Sequence, residues 1–257
     1  MRFLKEKEGQ ITIWAIIAIV IVATILLFLF LRKEIEVPGE IFGTEIQLIQ
    51  YIDKCVRKNV NEGIDIMLPN GGFIEPAVYK RYKGINVGYL CYNSGNYYPC
   101  INQHPMLLNE MRDELKDYIE PEINNCFDNL KTELEKRNSA VDMKNMQLEV
   151  EFAPDRVFVN INRELITKHN DATSKYEEFD IEIINPIYNL GRLAMEIASQ
   201  EAEYCYFEYN GYMILYPEYK ISLSTMSDST RIYTIKDKNS EKEMNIAIRG
   251  CTIPPGL

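Results

Sequence analysis

Apolar and polar residues follow three different rhythms along this 257-residue chain. The first is an unbroken run. Residues 11–31, ITIWAIIAIVIVATILLFLFL, contain no charge, Gly or Pro over twenty-one positions. At ~1.5 Å of rise per residue that is a helix of roughly 32 Å, close to the bilayer hydrocarbon thickness. The pattern predicts a transmembrane helix at 11–31, with 1–10 on the cytoplasmic side and 32–39 as a linker. The linker contains Val37-Pro38-Gly39, a hinge signal because Pro lacks an N–H and Gly is conformationally loose.

The second rhythm has steps of three and four. Ile41, Ile46, Leu48, Ile49, Ile52, Val56 and Val60 predict an amphipathic helix over 40–62, with Cys55 on its apolar side. After Pro105, the positions Leu108, Met111, Leu115, Ile119, Ile123, Phe127, Leu130 and Leu134 predict a second, longer helix, with Cys126 on its stripe. Pro121 removes one backbone bond there, so a kink or two abutting helices are expected. A third helix begins at Pro186, with Leu190, Leu193, Ala194, Ile197 and Ala198 buried.

The third rhythm is two. A tight turn at Asn70-Gly71-Gly72 is expected to lead directly into a short strand, and residues 79–100 read as strand, turn and strand. Beyond Asn138-Ser139 the sets Leu148/Val150/Phe152, Val157/Val159/Ile161 and Phe179/Ile181/Ile183 predict an antiparallel meander, with a polar loop at 168–176. Further strands are predicted near 204–209, 212–216, 220–223, 231–235 and 244–248. The expected class is α+β: one N-terminal transmembrane helix, then an extracytoplasmic domain at 40–257 of amphipathic helices and antiparallel sheet. Residues 40–140 form its helix-hairpin-helix part and 141–257 its sheet-rich part.

Charge narrows the partners. Removing the five basic and two acidic residues of 1–33 from totals of 28 and 38 leaves 23 and 36, a net charge of −13. Such a surface repels phosphate backbones, and no compact basic stripe offsets it, so nucleic acid is not an expected partner. Arg2, Lys5 and Lys7 precede the apolar run, and Arg32 and Lys33 follow it, a mild positive-inside bias toward a cytoplasmic N-terminus. All six cysteines lie beyond the run, and an even number outside the cytosol suggests disulfides. Two helices that each bury one cysteine suggest Cys55 with Cys126. Cys91 and Cys100 bracket the turn formers Asn93-Ser94-Gly95-Asn96, and Cys205 with Cys251 follows by elimination. Sequence alone does not fix this connectivity.

Little linear chemistry is present. The two histidines, His104 and His169, are isolated in sequence, and no H-E-x-x-H, G-x-S-x-G or Walker-type pattern occurs. Zinc at Cys91, Cys100 and His104 would lack a fourth ligand and the usual short paired spacing. No catalytic, cofactor-binding or metal residue is assigned, and no cofactor is expected. The tyrosines are the least ordinary feature: six of seventeen fall in 79–98 and six in 204–219. Tyr gives flat apolar area with a polar tip at low entropic cost, which suits recognition surfaces. Tyr89, Tyr92, Tyr97 and Tyr98 are the candidate interaction surface.

The junction Lys7-Glu8-Gly9-Gln10-Ile11 resembles the class III signal of archaeal type IV pilins, in which a peptidase cuts after a Gly preceding the apolar stem. The resemblance implies a cut between Gly9 and Gln10; Trp14 stands where pilin stems usually carry Glu. Over a longer span the chain is similar to N-terminally anchored surface proteins of small-genome archaea. The shared features are GQITI at the anchor, Cys55, GGFI at 71–74, Cys126 and AIRG at 247–250. That group lends no known activity. The sequence therefore points to a single-pass cell-membrane protein with its C-terminal domain outside. Its expected role is a structural or protein-interaction module, with the bilayer and cell-surface proteins as partners. A processed pilin-like subunit is the first alternative and an anchored ecto-hydrolase the second.

Overall fold

A computed structural model describes Ile21 and residues 45–169 and 172–253. The chain forms two compact units, Met1–Ile41 and Phe42–Leu257. In the first unit only Ile21 is described, and it is helical. The rest of the predicted anchor at 11–31, the linker 32–39 and the candidate processing site Gly9-Gln10 lie outside the described residues. Among the described residues no helix is long and apolar enough to cross a membrane.

The second unit is α+β. Helix α1 (Glu45–Met67) buries Leu48, Ile52, Val56, Val60, Ile64 and Met67, a spacing of four residues and then three that keeps one face on the core. It runs five residues past the predicted end because Ile64 and Met67 extend the stripe. It stops where Asn70 and Gly72 donate backbone N–H to the Met67 carbonyl at 3.0 and 2.9 Å. Gly71 and Gly72 then turn the chain with φ of +87° and +96°. A Cβ on Gly71 would lie 2.9 Å from the Gly88 nitrogen, whereas one on Gly84, also at φ +87°, meets nothing. Gly71→Ala should therefore cost about 1–3 kcal/mol, and more than Gly84→Ala, as read from urea midpoints. Equal losses would show that the close approach to Gly88 does not matter.

The predicted strand does not follow the glycines directly. Ile74 and Glu75 instead donate backbone N–H to Glu114 Oε1, at 2.8 and 3.2 Å. The hairpin comes later, as β1 (Tyr79–Tyr82) and β2 (Ile85–Tyr92), with the short β3 (Ile101–Asn102) beyond the disulfide-closed loop. Helix α2 (Leu107–Lys136) is a single helix of 30 residues that runs through Pro121, not two abutting ones. Pro121 and Asp117, whose carbonyl loses its donor, are both exposed, while Ile119 and Ile123 keep the buried face continuous. Water can serve that carbonyl on the solvent side.

A four-stranded antiparallel sheet follows, centred on β6 (Arg156–His169). Along one edge of β6 lie β4 (Ala140–Met143) and β5 (Gln147–Ala153), and along the other β7 (Ala172–Ile184). Much of the segment read as a polar loop at 168–176 is thus strand, with Lys168 opposite Thr173 and Leu165 opposite Tyr176. Residues 172–175 of this hairpin end are exposed, so no apolar alternation marked them. A register shift between Asn162 and Leu165 turns Arg163 inward. Its guanidinium sits 4.9 Å from the Phe127 ring centre, and its N–H groups reach the Lys144 carbonyl and Asn124 Oδ1 at 3.0 and 3.1 Å.

Helix α3 (Ile187–Tyr204) packs against strands of both sheets, and its buried side includes Leu190, Leu193, Ile197 and Glu201. The strands predicted near 204–209 and 212–216 are absent. Residues 205–208 form a loop, followed by the short helix α4 (Tyr209–Leu215). Glu208 caps it by accepting the Gly211 N–H at 3.2 Å. Tyr209, Tyr212 and Tyr216 recur at helical spacing, a signal that the apparent alternation of the same segment concealed.

The remaining strands β8 (Tyr219–Thr225), β9 (Arg231–Asp237) and β10 (Glu243–Arg249) complete the other sheet in the order β1-β2-β10-β9-β8. Every pairing in it is antiparallel except β10 with β2, so the sheet is mixed and the last strand closes onto the first hairpin. One hydrophobic core runs through α1, α2, α3 and both sheets.

Three disulfides join Cys55 to Cys126, Cys91 to Cys100 and Cys205 to Cys251, with Cα separations of 6.2, 5.3 and 5.9 Å. Beside the third lies a buried polar cluster. Glu201, fully buried on α3, accepts the Tyr233 hydroxyl and has Oε2 2.7 Å from Arg231 Nη2. Arg231 also donates to the carbonyls of Cys205 and Gly250, at 2.7 and 3.2 Å. Burial raises the Glu201 carboxyl, with the Tyr233 hydrogen bond and the Arg231 charge opposing it.

Candidate functional site

The predicted interaction surface divides once folded. Tyr89 is only 6% exposed, and its hydroxyl hydrogen-bonds Thr230 Oγ1 at 2.9 Å. Tyr92 is half-buried, edge-on to Tyr89 with ring centres 4.9 Å apart. Tyr97 and Tyr98 stand on the closed loop, 60% and 66% exposed. The Tyr97 N–H donates to the Thr252 carbonyl at 2.9 Å, and Tyr98 accepts from Cys251 N–H at 2.6 Å. The chain end thus fixes this loop, and only Tyr97 and Tyr98 are freely presented.

The isolated histidines do not meet. His104 Nδ1 lies 2.5 Å from Glu110 Oε2, and its ring packs on Phe73 at 4.6 Å. His169 Nδ1 lies 3.0 Å from Ser139 Oγ at an exposed hairpin end. Cys91 and Cys100 are consumed by their disulfide, so the zinc arrangement with His104 does not form. Among the described residues no three His, Cys, Asp or Glu side chains converge as a metal site.

The second tyrosine cluster builds the larger concavity, an open cleft of about 540 Å³. One wall is α3. Tyr188, Arg192 and Glu196 stand four residues apart along one ridge, flanked by Asn189 and Leu193. The Pro154-Asp155 turn abuts that wall, where Asn189 Nδ2 donates to Asp155 Oδ1 at 2.5 Å. The other wall is Tyr212 from α4, Tyr216 at its C-terminal cap, then Glu218 and Tyr219. The Tyr212 ring is central, 4.5 Å from Tyr216 and 6.4 Å from Tyr219, with Phe207 behind it at 5.5 Å. Tyr188 is half-buried and Tyr216 is 45% exposed.

The electrostatics favour positive charge in the cleft. The lining carries Arg192 against Glu196 and Glu218, a net −1. Burial first, and then Glu218 and other negative groups, push the Tyr219 phenol up to about 12. Tyr212 is also raised, by burial and then by Tyr216, Glu196 and Glu218. Both phenols therefore stay neutral at physiological pH and present uncharged, electron-rich rings. A spectrophotometric titration should find a phenol ionising near 12 that is lost in Tyr219→Phe; complete ionisation near 10, the ordinary tyrosine value, would contradict this assignment.

A second cleft of about 480 Å³ is more apolar and is lined by Phe73, Pro76, Val78, Tyr89, Tyr92 and His104. A third, smaller trough of about 260 Å³ lies on the four-stranded sheet at Glu149, Glu178 and Asp180.

Sequence reasoning noticed the 204–219 tyrosines but not their partners on α3. A signal was present: Tyr188, Arg192 and Glu196 at intervals of four, on the side of α3 away from its apolar stripe. Comparison with protein families, with curated proteins and with solved structures finds no match for the chain.

Proposed function

We propose that this chain is a membrane-anchored cell-surface module with a structural or protein-interaction role, its C-terminal domain facing outward and the tyrosine-lined cleft as its contact site. The observation that carries the reading is the complete pairing of all six cysteines, every one of them beyond the apolar run of 11–31. Disulfides persist in oxidising compartments and are rare in the cytosol. An apolar run of bilayer length, preceded by basic residues, supplies the means of attachment.

Washing membranes with alkaline carbonate tests the attachment. The full chain should stay in the pellet, and a chain lacking 11–31 should be released. Recovery of the full chain in the supernatant would refute the anchor. A pilin-like filament subunit is the second reading, favoured by Gly9-Gln10 directly before the apolar stem. The mass of the native N-terminal peptide separates the two: a chain starting at Gln10 is processed as prepilins are, and one that retains residues 2–9 is a permanent anchor.

A further inference from the structure

We infer that the cleft between α3 and α4 recognises a cationic side chain, lysine or arginine, presented by a polypeptide partner. The inference rests on the reading of this domain as an interaction module and specifies the chemistry of its contact. Three phenol rings in sequence, Tyr216, Tyr212 and Tyr219, form a continuous aromatic wall, with centroid distances of 4.5 and 6.4 Å from the central Tyr212. A cation over such faces is attracted by the ring quadrupole, and its hydrocarbon stem gains apolar contact along the rings. Glu196, which also accepts from Gln200 Nε2 at 2.5 Å, stands on the opposite wall, and Glu218 lies between Tyr216 and Tyr219 in the chain; both line the cleft and can receive the charged tip. Among the described residues no ion pair engages Glu218, so its charge is not committed elsewhere.

Two features favour a polypeptide over a free amine. The cleft, at about 540 Å³, has room for more than a single ammonium group. Ile214 and Leu215, immediately before Tyr216 in the chain, are also exposed apolar side chains, at 80% and 74%. Apolar residues beside the cation in a polypeptide would have these two side chains to cover, as a free polyamine could not. The net charge of −13 beyond residue 33 would draw a basic segment toward the domain.

Calorimetry on the full chain in detergent micelles tests this, using a capped pentapeptide with one central lysine between leucines. The comparison ligands are the same peptide with acetylated lysine, spermidine, and an uncharged trisaccharide. The lysine peptide should bind at least about tenfold tighter than each of these, and Glu196→Gln combined with Glu218→Gln should weaken it about tenfold. Tyr216→Ala should weaken it as well, whereas Glu149→Gln, on β5 and outside the cleft lining, should leave it unchanged. Circular dichroism confirms that each variant is folded. Equal binding of the acetylated peptide, or tighter binding of the trisaccharide, would overturn the cation. Equal binding of spermidine would overturn the polypeptide. Absence of binding by any ligand would remove the site while leaving the membrane reading, which carbonate extraction decides separately.

Discussion

Arg231→Met is expected to destabilise the domain by about 3–5 kcal/mol, because it strands a buried carboxylate. Glu201 is fully buried, and Arg231 is its counter-charge at 2.7 Å. The same guanidinium satisfies the carbonyls of Cys205 and Gly250, which would lose their donor together. Replacing both members by Met should recover only part of the loss: the cost of burying the charge disappears with the charge, but the two carbonyls and the buried Tyr233 hydroxyl stay without their partners. The pH dependence has a definite sign. The folded pKa of Glu201 is raised above its ordinary value of 4.5. Its contribution is therefore fully present below that value and is lost as pH rises through the folded pKa. Without Arg231 the folded pKa rises further, so the variant should lose more stability at neutral pH than in acid. Urea denaturation across that range measures it. A loss below about 1 kcal/mol that does not vary with pH would show that the cluster does not hold α3 to the sheet.

Converting Cys55 and Cys126 together to Ala should cost about 4 kcal/mol, against about 2.5 kcal/mol for Cys91 with Cys100. Sequence separation sets the order: the first bridge spans 71 residues and ties α1 to α2, and the second spans only 9. A cross-link over a longer loop removes more conformational freedom from the unfolded chain. Alanine is the right replacement, because Cys126 is 1% exposed and a serine hydroxyl there would add a separate penalty. Equal losses, or a larger loss from the short loop, would contradict the chain-entropy ranking.

These two clusters mark what sequence patterning can reach. The sequence suggests Cys55 with Cys126, without fixing it, because each lies on the apolar stripe of a helix and two buried stripes tend to pack together. Glu201 could not be tied to Arg231 and Tyr233 in that way. A charged residue at helical spacing looks like solvated surface, and only the packing of α3 against β9 buries it. The failure at 204–216 had a related cause. Alternate aromatic and polar residues mimic a strand, while the Glu208 cap and the 209/212/216 spacing are local signals that compete with it. The hairpin end at 172–176 was missed because exposed strands have no inside-outside pattern. The cleft itself was the least legible feature. Its walls come from α3, the 154–155 turn and 212–219, segments that β8, β9 and the helices bring together only in three dimensions.

The most direct test of the central claim is membrane-impermeant amine labelling of intact cells that produce the full chain. Lys58, Lys136 and Lys144 have side chains 71%, 64% and 67% exposed and report on the folded domain. An anchored, outward-facing domain predicts that these lysines react in intact cells as completely as after lysis. Labelling of the three only after lysis would place the domain inside and contradict the account.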